Sequence, residues 1–274
     1  MKTLFTFFFS LIAFVSLSQI GPYASFNAGF ALPFASDVVG VKTVTSTSGD
    51  LTETNIYGSY GTGVNATLKV GFKQTQNFGV ELGTNYLYGL SKLIQDDSGP
   101  NSQTTVKTTN TLIKIMPGVV LETSNSALTV YSRLGFVIPI SGATYSDYMN
   151  QVTTGSSTNE TIIKSKSTGA MSLGFYGGVG VSLKIGEKLK VFGEAELTGL
   201  SIKQKSSMLT TYTVDGNDIL PSLDTRDKET EYKDSFNSAD NFESSQPRTA
   251  RAQKINYNSL SFNIGIRFNF LNLK

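Results

Sequence analysis

Apolar and polar residues alternate along much of the chain, in segments of about eleven to eighteen residues separated by stretches without that order. The last segment, 257–270, is the clearest. Leu260, Phe262, Ile264, Ile266, Phe268 and Phe270 share one face, while Ser261, Asn263, Gly265, Arg267 and Asn269 share the other. Seven earlier segments follow the same rule, at roughly 23–34, 61–73, 78–88, 110–122, 127–140, 168–185 and 189–203. Each is long enough for a tilted strand to cross a bilayer, which takes about 9–11 residues. No stretch after residue 20 shows a helical period.

The spacing of the eight segments predicts their arrangement. Short connections near 74–77, 123–126 and 186–188 alternate with long ones at about 35–60, 89–109, 141–167 and 204–256. That regularity puts every tight turn at one end and every long connection at the other. The expected fold is all-β: an eight-stranded antiparallel up-and-down transmembrane β-barrel, with short periplasmic turns and four long external loops. The charge-rich run from Asp224 to Asp234 lies in the longest connection and reads as a solvated, mobile loop, with ligand contact as the sharper alternative.

Alternation alone also fits a soluble barrel with its apolar face inward. The polar face separates the two. It carries mostly glycine, serine, threonine and asparagine with a few charges of both signs, which suits a crowded interior better than contact with water. Tyr86, Tyr88, Tyr257 and Phe270 stand near strand ends, where aromatic girdles at a membrane interface are expected. The interior of an eight-stranded barrel is just wide enough for side chains to fill. Its inward charges, Lys69, Glu81, Lys114, Arg133, Glu194, Glu196 and Arg267, are therefore expected to neutralise one another as a structural lumen network. Glu194 and Glu196 project to one face of the seventh segment. They read either as a general acid and base or as two arms of an ion-pair network around Arg133, and the second reading is favoured.

Composition narrows the chemistry. Charged residues are 16% of the chain, and cysteine, histidine and tryptophan are absent. A histidine base, a Ser–His–Asp relay, a thiol nucleophile and a zinc site of usual composition are thereby excluded. Gly174, Gly177, Gly178 and Gly180 resemble a phosphate-cradling loop only superficially, because a strand rather than a helix follows. The expectation is no enzyme, no metal and no cofactor. A net charge of +2 argues against a nucleic-acid partner. Lys2, the apolar run Leu4 to Leu17 and the small-residue stretch Ser16–Ser18 read as an export signal over 1–18, leaving 19–274 as the barrel domain.

With those segments on the page, the chain resembles the small outer-membrane barrels typified by OmpA and OmpX, and more specifically the outer-membrane β-barrel domain proteins common in Bacteroidetes. The likeness rests on the Phe-rich leader before Gln19, the eight alternating segments and the closing strand from Leu260 to Phe270. It implies a Gram-negative outer-membrane location. The partners it implies are outer-membrane lipid and lipopolysaccharide, the barrel-assembly machinery, and a surface or periplasmic protein. In the family a final amphipathic strand ending in an aromatic is the assembly signal, a role that falls here to Phe262, Ile264, Ile266, Phe268 and Phe270. Four residues follow Phe270, a departure from the family pattern. The expected function is a non-catalytic scaffold presenting surface loops for adhesion or surface interaction. The alternatives are an accessory barrel of a secretion or transport system, or a narrow pore.

Overall fold

The computed structural model describes residues 21–123, 127–235, 237 and 243–271. The export signal and its cleavage point lie outside the described residues, as do positions 124–126 and 272–274.

Eight strands form the wall: β1 (Gly21–Pro33), β2 (Gly63–Lys73), β3 (Phe78–Gly89), β4 (Ser102–Glu122), β5 (Leu128–Thr154), β6 (Gly174–Lys184), β7 (Leu189–Gly199) and β8 (Ser259–Asn269). Each pairs antiparallel with its predecessor. The ring closes where β8 returns to β1, with Tyr23 opposite Asn269 and Phe30 opposite Phe262. Closure leaves the wall no free edge, so its backbone donors and acceptors are spent within the sheet, the condition for a sheet to enter hydrocarbon.

The side-chain period of two then sorts residues between two environments. Along β8, Ser259, Ser261, Asn263, Arg267 and Asn269 are buried, while Phe262, Ile264, Ile266 and Phe268 are exposed. The apolar face therefore points outward and the polar face inward, an inversion that makes sense only with lipid outside.

The long connections differ from the expectation of loops. β4 and β5 run on past the wall, and β5 alone has 27 residues, a length of about 90 Å at the usual strand rise. Beside them stand strands Asp37–Thr45, Leu51–Gly58, Lys92–Ser98, Ser157–Gly169 and Ser201–Val214. Asp37–Thr45 pairs with Leu51–Gly58 and, in parallel, with Lys92–Ser98, which pairs in turn with β4. On the other flank Ser157–Gly169 joins β5 to Ser201–Val214. The segment 204–256, expected to be a mobile loop, contributes further strands: Glu229–Lys233 pairs with Ser201–Val214 and, in parallel, with Arg248–Arg251. Within the charged run, Thr225–Lys228 forms a single helical turn. The connections thus build an open sheet that continues the wall outside the membrane. The predicted segment 189–203 also divides, into β7 and the start of this outer sheet.

Candidate functional site

The lumen is filled in layers. At the turn end, Lys73 and Arg267 both pair with the Glu122 carboxylate. Lys190, also buried, donates to Thr129 Oγ1 at 3.2 Å. Above this sits an aromatic layer of Tyr23, Tyr131 and Phe192 with Val120. The guanidinium of Arg267 lies 4.6 Å from the Tyr23 ring centre, and that of Arg133 lies 4.6 Å from Tyr131, distances at which a cation is held by the ring face.

The next layer carries most of the expected charges. Arg133 Nε is 2.9 Å from Glu81 Oε2, and its Nη1 contacts Glu194. Lys69 Nζ is 3.5 Å from Glu194 and 3.2 Å from Glu196. Tyr23 donates its hydroxyl to the second oxygen of Glu81. Lys114 is buried in the lumen but makes no ion pair among the described residues. A polar layer follows, in which Asn85 donates to Thr67 Oγ1 at 2.7 Å. The loop end is sealed by Ala31, Leu87, Leu112, Val137, Leu200, Ile202 and Tyr257, packed with Met116 and Tyr176.

The sequence-predicted site residues fall into two sets. Lys69, Glu81, Lys114, Arg133, Glu194, Glu196 and Arg267 all point into the lumen and all are buried. The first six lie in the middle of the tube, whereas Arg267 belongs to the lower group and takes Glu122, not Glu81, Glu194 or Glu196, as its partner. Phe262, Ile264, Ile266, Phe268 and Phe270 line the outer face. Tyr257 is a correction. Instead of joining an outer girdle it is buried in the apolar seal, 5.9 Å ring to ring from Tyr60, with its hydroxyl 3.2 Å from Thr144 Oγ1. Its position shares the parity of Ser259 and Ser261, so it turns inward with them.

Lys73, Glu122 and Lys190 were missed as network members. Parity could have found them: Glu122 continues the inward series Lys114, Met116, Gly118, Val120, and Lys73 continues Lys69 and Gly71. The inward glycines make room for rings. A Cβ on Gly118 or Gly135 would strike Tyr176, and one on Gly180 would strike Tyr131.

Chemically, the interior sets four buried carboxylates, Glu81, Glu122, Glu194 and Glu196, against six buried cations, of which Lys114 and Lys190 make no ion pair among the described residues. Both Glu194 and Glu196 are in contact with cations. Among the described residues, no group of three acidic side chains converges as a metal site would need.

A closed ring with an apolar outer face and a packed polar interior defines a membrane-spanning β-barrel. The family comparison agrees: the model of the outer membrane protein beta-barrel domain matches residues 3–226, and the chain belongs to that family, which places it in the outer membrane of a Gram-negative cell. Solved structures with a similar fold include the neisserial surface protein A, at 12% identity over 93% of this chain and 100% of that one, TM-score 0.38. They also include the outer membrane protein OprG from Pseudomonas aeruginosa, at 10% identity over 92% and 97%, TM-score 0.43. The attachment invasion locus protein Ail of Yersinia pestis is 11% identical over 92% and 100%, TM-score 0.32. No curated protein matches the chain.

Proposed function

We propose that this barrel is a non-catalytic scaffold that holds a folded β-surface outside the cell for adhesion or surface interaction. The observation that carries the reading is the division of labour along the chain. The lumen is occupied by ion pairs and closed by an apolar seal, while the residues invested in the long connections form paired strands. A packed eight-strand tube leaves little room for passage, and a stiff outer sheet is a surface for contact. The carboxylates Glu194 and Glu196 serve as structural partners of Arg133 and Lys69, not as acid and base. The N-terminal segment serves export, and the outward residues of β8, ending at Phe270, serve recognition during assembly.

Conductance in planar bilayers tests this directly. The purified chain is expected to insert without discrete channels at any holding potential. Stepwise single-channel currents would show instead that the lumen is a pore.

A further inference from the structure

Among the described residues the wall parts between β5 and β6 at its loop end. Val137 of β5 is the last residue paired with β6, opposite Gly174, and Thr144 is the first paired with the outer strand, opposite Ser167. Residues 138–143 between them have a strand neighbour on the β4 side alone. Facing them, 170–173 join the outer strand Ser157–Gly169 to β6 without entering a ladder; Ala170 donates its backbone N–H to the Lys203 carbonyl at 2.7 Å.

A cavity of about 510 Å³ occupies this gap, the size of a small-ligand site. Its lipid-side lip is Ile140 and Met171, the latter 83% exposed. Its floor is Leu112, Ile202 and Tyr257, members of the apolar seal, so the slot ends there and does not continue into the charged lumen. Lys203 and Lys205 line it, and among the described residues no acidic side chain does. Lys203 reaches Asp234, a residue outside the lining, at 2.5 Å. Lys205 makes no ion pair among the described residues.

From this geometry we infer that the slot seats one acyl chain of an anionic lipid drawn from the surrounding outer leaflet, its headgroup held by Lys203 and Lys205. Three observations select that occupant. The opening is sideways, at the last rung of the wall, so leaflet lipid is what abuts it. Backbone left without a strand partner is tolerated at headgroup depth and not in hydrocarbon, which sets the height of the slot at the polar boundary. The lining pairs an apolar floor with two lysines, of which Lys203 shares its charge with Asp234 and Lys205 makes no ion pair among the described residues, an excess of positive charge that complements an anionic amphiphile. The inference concerns the outer wall and does not depend on whether the lumen conducts.

Native mass spectrometry of the full chain released from neutral detergent tests it, with phosphatidylglycerol and phosphatidylcholine of identical chains as probes. One phosphatidylglycerol per protein is expected, retained roughly tenfold better than phosphatidylcholine, between the roughly fivefold that one lysine near a headgroup supplies and the roughly thirtyfold of two, since Asp234 shares Lys203. Ala170→Trp, which fills the slot, should abolish retention while the protein keeps its heat-modifiable gel migration. Should that variant fail to fold, Ser141→Trp enters from the facing, exposed edge and replaces it. Lys203→Ala with Lys205→Ala should bring the two lipids level without affecting phosphatidylcholine. Equal retention of both lipids by the unaltered chain, or undiminished retention by a folded slot-filled variant, overturns the inference. So does stoichiometric displacement of the lipid by free dodecanoate, since the occupant would then be a soluble amphiphile.

Discussion

The membrane wall and the sheet that extends it share strands, and β5 passes through both. From Leu128 to Val137 it alternates between exposed apolar residues such as Val130, Leu134 and Phe136 and buried ones such as Thr129, Tyr131 and Arg133. From Thr144 to Thr154 no residue is fully buried, and both faces are intermediate or exposed. The backbone is the same; only the surroundings differ. Lipid on one side and a packed tube on the other impose a sharp contrast on alternate side chains. Water on both sides of the outer sheet imposes none, and there the pairing rests on β-branched residues and the ladder itself.

That contrast can be broken at several points. The largest effect is expected inside the tube. Arg133→Met leaves Glu81 and Glu194 without their main cation, and urea titration in lipid vesicles should show a loss of about 3–5 kcal/mol. Adding Glu194→Gln should restore part of it, since the two sites are coupled. On the lipid face, Ile264→Arg at the middle of β8 should cost about 2–4 kcal/mol in the same titration, whereas Val44→Arg on the outer sheet should stay within about 0.5 kcal/mol. Equal costs at the two positions would mean that Ile264 does not face hydrocarbon. Gly180→Val drives a side chain into the Tyr131 ring and should cost about 1–3 kcal/mol.

The smallest effect concerns Lys92 in the outer sheet. Burial lowers its pKa to about 8, and its ammonium lies 5.3 Å from the Tyr60 ring centre. Below that value the lysine is charged in both folded and unfolded chains. Between about 8 and the ordinary lysine value of about 10.4 the unfolded chain holds a proton that the folded chain has released, so stability rises with pH across that window. Lys92→Met should remove this rise, read as the difference between the two proteins' urea midpoints in a pH series.

The same contrast explains what the sequence disclosed. The eight wall segments were legible because two solvents wrote them: Leu260 to Phe270 alternates without a break. The buried charges followed from parity, and Glu122, Lys73 and Lys190 lay within reach of the same rule. What was not legible is the outer sheet. Asp37–Thr45 carries Val38, Val39, Val41 and Val44, a β-branched density that marks a strand by propensity, yet its polar and apolar positions do not alternate cleanly because neither face is hidden. The strand 157–169 turns back on β5 in a tight hairpin, but its other partner, 201–214, lies beyond β6 and β7, and no local pattern announces that pairing. The gap between β5 and β6 was invisible for a different reason: it is a missing pairing, which residue types do not record. Tyr257 was misplaced because an aromatic near a strand end fits a girdle as well as a plug until the strand's phase is fixed.

The seam between β1 and β8 joins Tyr23 to Asn269, so the wall's final ladder links residues from opposite ends of the polypeptide. Such a contact has nearly the greatest sequence separation the chain allows, and searches for partners that far apart are slow. Until residues 259–269 have been made and have docked, β1 carries a bare row of amides and carbonyls, the kind of edge that recruits stray chains. A nascent copy is therefore most prone to aggregate in the interval before its last eleven-residue strand arrives, and truncations ahead of Ser259 should accumulate as insoluble material, not as smaller barrels.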